Sequence, residues 1–305
     1  MIKLPFDTTN PATFAAEFKT VISGVNVTLD YRNIESSMCK AAVFLYKIFT
    51  QEFYDLLCTG TASPDEEKSM TARNCLQRAI AHFSVYEHLI FLITRIGNDG
   101  VTVKKNDDET TVFKYQQDQL SDNLVTTGWF WINMLVGYLN DNSDDFPGWN
   151  PDTDSDIPVD AGDFEKWVGV PDLYFVIAVR SIIREVWMEC VESRLPKPVV
   201  KDDYNTRALC YDVMARACMR LAYMILPEPI RKDISNEMGK NHNAQADTYI
   251  REKVAGIYAR KAQAYWTDWD VRLKRDAVKN NKKDVADPPR FSSVNVNEND
   301  RFYFN

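Results

Sequence analysis

The chain has 305 residues, of which 45% are hydrophobic and 26% charged, enough for about two domain-sized cores at roughly 100–200 residues each. With 36 basic and 44 acidic side chains its formal net charge is −8, a composition that excludes a collagen-like chain, a disulfide miniprotein and a wholly disordered chain. No apolar run approaches the ~20 residues that span a bilayer. The opening Met-Ile-Lys-Leu-Pro-Phe-Asp lacks the apolar region of a signal peptide, so no membrane partner is expected.

In chain order, residues 1–30 read as an extended leader, with the β-branched run Thr20 to Thr28 as a short strand. A helix is predicted over Asn33 to Cys58, its apolar face carried by Met38, Ala42, Leu45, Phe49, Phe53 and Leu56. The next starts near Pro64 and Asp65, where an acidic first turn suits the helix dipole. Its stripe is Leu76, Ala79, Ile80, Phe83 and Ile90. Residues 97–111 are a loop that can form a small hairpin, and a third helix is predicted from about Val112 to Asn140.

These three helices recur at an offset of 134 residues. Leu45 maps to Val179, Phe49 to Ile183, Phe53 to Trp187 and Leu56 to Cys190, giving a helix over Leu173 to Leu195. Leu76 falls on Cys210, Ala79 on Val213, Ile80 on Met214, Phe83 on Ala217 and Arg73 on Arg207. The third helix maps to about Ala244 to Lys274, with Tyr115 on Tyr249, Ile132 on Trp266 and Leu135 on Trp269. Identities are few, yet three successive helices at one ungapped offset point to an internal duplication. Each helix has one apolar stripe to bury, so the expected fold is mainly all-α: two tandem related helical bundles. The bundles span 31–141 and 164–275, joined by an acidic linker at 142–163. Phe164 to Val170 forms a shorter leader for the second bundle, and 235–243 reads as a loop. Phe146, Trp149 and Ile157 of the linker are expected to touch a bundle surface. Residues 276–305 read as an extended arm ending in aromatics: Phe291, then Phe302, Tyr303 and Phe304. These dock either on the chain's own bundle or on another subunit.

Charge divides along the same line. Residues 1–165 hold 12 basic and 25 acidic side chains, a net −13, whereas residues 166–305 hold 24 and 19, a net +5. Such polarity can orient head-to-tail packing of identical subunits; the plainer alternative is two differently charged solvated surfaces. Six cysteines with no C-x-x-C pair fit reduced, buried residues.

Templates for chemistry do not match. His82, His88 and His242 are preceded three residues earlier by Ala79, Val85 and Gly239, so the Glu-x-x-His pattern of a di-iron bundle fails. His82 and His88 read as surface or boundary residues. No phosphate-binding glycine loop, G-x-S-x-G elbow or H-E-x-x-H motif is present. Cys–His catalysis stays open, without supporting local context for any cysteine. Asp152, Asp154, Asp156, Asp160 and Asp163 imitate a calcium loop, but Ile157 stands where it needs glycine and Asp163 where it needs glutamate. A solvated acidic linker is the better reading, and no cofactor or metal is expected. Trp129, Trp131, Trp187, Trp266 and Trp269 read as packing residues. The basic cluster Arg272, Lys274, Arg275, Lys279, Lys282 and Lys283 can meet nucleic acid or an acidic neighbour, and the plainer reading is a solvated helix end complementing the C-terminal dipole.

The segments FTQEFYDLLCTG (49–60), TARNCLQRAIAHFSVYEHLIFL (71–92) and FKYQQDQLSDNLVTTGWFWINMLVGYL (113–139) resemble an uncharacterised group of proteins from phages and prophages of gut Bacteroidales. The resemblance covers roughly residues 13–274, with the second unit looser than the first. That group is similar to the helical head-to-tail adaptors of tailed phages. The resemblance implies a non-enzymatic virion protein, assembled in the host cytoplasm. It would form a ring, commonly of twelve subunits, beneath a portal protein and recruit tail or further ring proteins. DNA would be met only as it passes through the channel. Arg272, Arg275, Phe291, Phe302, Tyr303 and Phe304 are the expected partner-binding residues. A non-viral helical interaction module, and an enzyme or ligand-binding protein with a site between the bundles, are the alternatives.

Overall fold

Local signals start several of the helices and stop two of them. The structure, a computed structural model, describes residues 2–22, 31–97, 100–103, 114–149, 159–193, 201–240 and 247–283. The leader is not extended throughout: helix α1 (Pro11–Val21) begins where the Asn10 side chain accepts from the Ala12 amide at 2.9 Å, with proline in its first turn. It buries Phe14 and Phe18, whose rings meet Phe6 at 5.8 and 5.4 Å. Of the expected strand at Thr20 to Thr28, Thr20 and Val21 are helical; residues 23–28 lie outside the described residues.

The first long helix is two helices. In α2 (Tyr31–Leu45), Ile34, Met38, Ala41, Ala42 and Leu45 form a fully buried stripe. The chain then turns, and the Thr50 hydroxyl accepts from the Phe53 amide at 3.2 Å to start α3 (Gln51–Thr59). That helix ends on Gly60 at φ +68°, the left-handed conformation that glycine adopts at least cost. Helix α4 (Glu66–Ile93) follows, with Asp65 Oδ1 accepting from the Lys68 amide. It runs directly into a hairpin, β1 (Thr94–Gly97) antiparallel to β2 (Gly100–Val103), so the expected hairpin begins earlier than its loop. Helix α5 (Lys114–Asp141) then returns along α4. Phe146 and Trp149 fold back as expected: Trp149 packs 5.5 Å from Phe49 and 5.7 Å from Phe53. Ile157 lies outside the described residues.

The second half repeats this plan with more breaks. The shorter leader is a helix, α6 (Ala161–Val168), held by a capping box between Asp160 and Asp163. The expected helix over 173–195 is divided into α7 (Leu173–Ala178), α8 (Arg180–Trp187) and a π-helical turn (Met188–Glu192). Helix α9 (Asp203–Arg220) starts on a second capping box, Asp202 with Asn205. After a 3-10 turn (Tyr223–Ile225), α10 (Glu228–Lys240) occupies residues expected as a loop. Helix α11 (Asp247–Lys283) packs along α9. Its 37 residues extend roughly 55 Å at 1.5 Å per residue. The arm therefore stays helical through Lys283, beyond its expected start at Asp276.

The two units are tandem related helical bundles. Residues buried in the first have buried equivalents 134 residues on: Ala41 and Phe175, Leu45 and Val179, Phe49 and Ile183, Leu57 and Val191, Leu76 and Cys210, Ile80 and Met214, Leu135 and Trp269. The α4–α5 pairing recurs as α9–α11. Among the described residues Leu56 departs from the expected stripe at 41% exposed, and Tyr249 of the repeat is 58% exposed. Between the long helices the units diverge, with the β1–β2 hairpin in one and α10 in the other. Their apolar side chains nevertheless join in one continuous core.

Candidate functional site

Two features lie outside ordinary core packing: a polar joint between the bundles and an uncovered face on α11. The joint is built from one face of α5, on which Asp122, Thr126, Trp129 and Asn133 recur at helical spacing. Trp129 stacks on Tyr174 of α7 with ring centroids 3.9 Å apart and planes 9° apart, and meets Phe83 edge-on at 4.8 Å. Its indole N–H donates to the Met224 carbonyl. Asn133 donates to Asp172 at 2.7 Å and accepts from the Tyr174 amide at 3.2 Å. Arg231 of α10, only 2% exposed in its side chain, donates to the Leu226 carbonyl and the Thr126 hydroxyl, both at 2.7 Å. It also lies 3.4 Å from Asp122. Burial pushes the Asp172 carboxyl above its ordinary range, opposed by the Asn133 hydrogen bond and the Arg231 charge. Burial likewise holds the Tyr174 phenol protonated. A buried, paired guanidinium of this kind fixes geometry: removing it leaves the buried Leu226 carbonyl without a donor. The joint is therefore a rivet between the bundles.

The outer face carries the expected partner residues that the structure describes. Arg272 lies over the Tyr204 ring at 4.3 Å and 3.6 Å from Asp276. Arg275 is exposed beside Lys274. Upstream, Arg207 stacks on Tyr265 at 3.7 Å and donates to its hydroxyl at 2.6 Å, with Trp167 at 5.4 Å. Its repeat equivalent, Arg73, instead donates to the Pro5 carbonyl at 3.1 Å. Each arginine thus ties its bundle to an adjoining segment. Phe291, Phe302, Tyr303 and Phe304 lie outside the described residues.

The remaining candidates are engaged locally. Asp160 and Asp163 cap α6, and Asp163 also accepts from Lys201 at 2.5 Å; Asp152, Asp154 and Asp156 lie outside the described residues. Among the described residues no group of three or more His, Cys, Asp or Glu is placed to hold a metal ion. His82 is a partly buried boundary residue whose Nδ1 pairs with the Arg78 carbonyl at 2.7 Å. His88, expected at the surface or boundary, is buried; the apolar face of α4 is wider than its sequence stripe. His242 lies outside the described residues. All six cysteines are free. Burial pushes the Cys58 thiol up to about 12 and raises Cys39, Cys75 and Cys210, which suppresses the thiolate that nucleophilic chemistry requires. Trp129, Trp187, Trp266 and Trp269 are buried, and Trp131 packs against the core beneath Arg78 at 4.6 Å.

Arg231 carried no sequence signal, because its side-chain partners, Thr126 and Asp122, are more than a hundred residues away. Exposed apolar residues on α11 did carry one: Val271 and Val278, seven apart, enclose Lys274 and Arg275. No helix among the described residues is long and apolar enough to cross a membrane. Among known families, the profile of DUF6712, a family of unknown function, matches residues 41–158 and 194–283. No curated protein and no solved structure matches the chain.

Proposed function

The chain belongs to the DUF6712 family, and we propose that it is a non-enzymatic subunit of a ring, the head-to-tail connector of a tailed phage virion. The observation that carries this reading is charge segregation on a jointed body. A net −13 over residues 1–165 and +5 over 166–305 belong to bundles held together by Trp129 and Arg231. Opposite charges held in a fixed relation favour head-to-tail association of copies, because like ends repel and unlike ends attract. The resemblance of 49–60, 71–92 and 113–139 to a group of Bacteroidales phage proteins, itself similar to head-to-tail adaptors, adds the setting. The partners are then further copies, a portal protein above and tail or ring proteins below, in the virion. DNA passes through an acidic channel that discourages sticking. Light scattering after size exclusion, on the protein alone and with a portal assembly, tests the proposal. The expected outcome is a discrete oligomer or a portal-bound ring; a strict monomer that ignores portals overturns it.

A further inference from the structure

We infer that the outer face of the last turns of α11 docks on the Leu56–Met70 surface of the front bundle in a second copy of this chain. The inference rests on the ring proposal and gives that assembly a specific contact. Helix α5 stops at Asp141, whose equivalent at the 134 offset is Arg275, whereas α11 continues to Lys283. Arg272 already lies over Tyr204 in the first turn of α9. The turns beyond it have therefore passed the end of the helix they pack on. Along them Val271, Lys274, Arg275 and Val278 share one face by their three-and-four spacing, and all four are exposed, the valines by 50% and 56%. Residues 271–283 carry six basic side chains and one acidic one.

The front bundle presents the complement. Leu56 of α3 and Met70 of α4 are 41% and 37% exposed, and Met70 Sδ lies against Gly60, which follows α3. Glu52, Glu66 and Glu67 are exposed around them. Residues 50–70 hold five acidic side chains and one basic, Lys68, which pairs with Asp145. One surface is thus an apolar pair in positive charge, the other an apolar pair in negative charge. In its own chain α11 packs chiefly on α9 and α10, which leaves this face for another copy. The apolar pairs supply the desolvated centre, and the charges set orientation and encounter rate. Because the two surfaces differ, the contact is heterologous and propagates head to tail.

Charge reversal in the full chain tests this. Light scattering and sedimentation would compare the wild type with Lys274→Glu/Arg275→Glu and with Glu66→Lys/Glu67→Lys, at about 0.05 M and about 1 M salt. Each reversal is expected to weaken self-association at least ten-fold at low salt. Mixing the two variants, or combining all four changes in one chain, restores it. Val271→Ser/Val278→Ser is expected to weaken assembly at both salt concentrations. Circular dichroism melts separate folding losses from interface losses. An assembling wild type whose variants assemble equally well overturns the contact and leaves the ring proposal standing, as does loss without rescue on mixing. A wild type that is monomeric under every condition overturns both.

Discussion

Where the front bundle brings α4 against α5, Phe83 lies over Gly128; in the rear bundle the same two positions, on α9 and α11, hold Ala217 and Ala262. A methyl on Gly128 would sit 2.4 Å from a Phe83 ring carbon, so the aromatic ring occupies the room that the missing side chain leaves. The rear bundle fills its positions with two small residues instead. At this pair the duplication kept both positions inside the core while one side chain shrank and the other grew. It also separates what each half contributes. The front half supplies the polar face of α5 to the joint, and the rear half supplies Tyr174, Met224 and Arg231.

The largest expected effect comes from breaking that joint. Arg231→Ala leaves the buried Leu226 carbonyl without its donor and opens a cavity where the buried side chain packs, and is expected to cost about 2–4 kcal/mol. Chemical denaturation with probes in both halves checks this. Separate transitions for the two halves would show the joint to be the coupling element. A change under 1 kcal/mol would make the arginine a bystander and move that role to Trp129.

Next in size is the volume exchange. Gly128→Ala is expected to cost about 1–3 kcal/mol in the wild-type background, as overpacking does. In a Phe83→Ala background the same change places two alanines where the rear bundle has them, and its cost should vanish or reverse. The reciprocal rear substitution, Ala262→Gly, meets no ring and should cost about 1 kcal/mol through helix propensity. Equal costs for Gly128→Ala in both backgrounds would mean that α4 and α5 adjust by backbone movement rather than by matched volumes.

How far the sequence reveals this structure depends on the range of the interaction. The long helices, their buried stripes and the 134-residue repeat follow from local periodicity, and the structure has them. The break at Thr50 does not, because Leu45, Phe49 and Phe53 keep four-residue spacing straight through it. Helix α1 was legible in Asn10, Pro11 and the Phe14–Phe18 spacing, but the β-branched run after it read as extended. Helix α10 replaces a hairpin between otherwise equivalent helices, so the repeat gives no guidance there. Arg272 and Arg275 were legible as a basic cluster. The joint was not, since Trp129 meets residues 45 and 95 positions away and helical periodicity marks it only as buried.

The smallest expected effect separates the halves by pH. On α8 and α9, Glu185 receives Arg220 and Arg216, whose hydrogen bonds hold its carboxyl at about 2 instead of 4.5. The equivalent front positions are Gln51, Tyr86 and His82, which form no such ion pair. A carboxyl whose folded pKa is depressed contributes stability above its unfolded value and loses it as pH falls through the folded one. The rear contribution therefore disappears between pH 4.5 and about 2. His82 is likewise lowered from 6.5, by burial with the Arg78 charge assisting, so the front contribution begins to fall as soon as pH drops below 6.5. Melting temperatures measured across pH 7 to 2 should show both segments, Glu185→Gln flattening the lower and His82→Gln the upper. If Glu185→Gln left the lower segment as steep as the wild type, the acid sensitivity would belong to other carboxylates and the bundles would not differ in this respect.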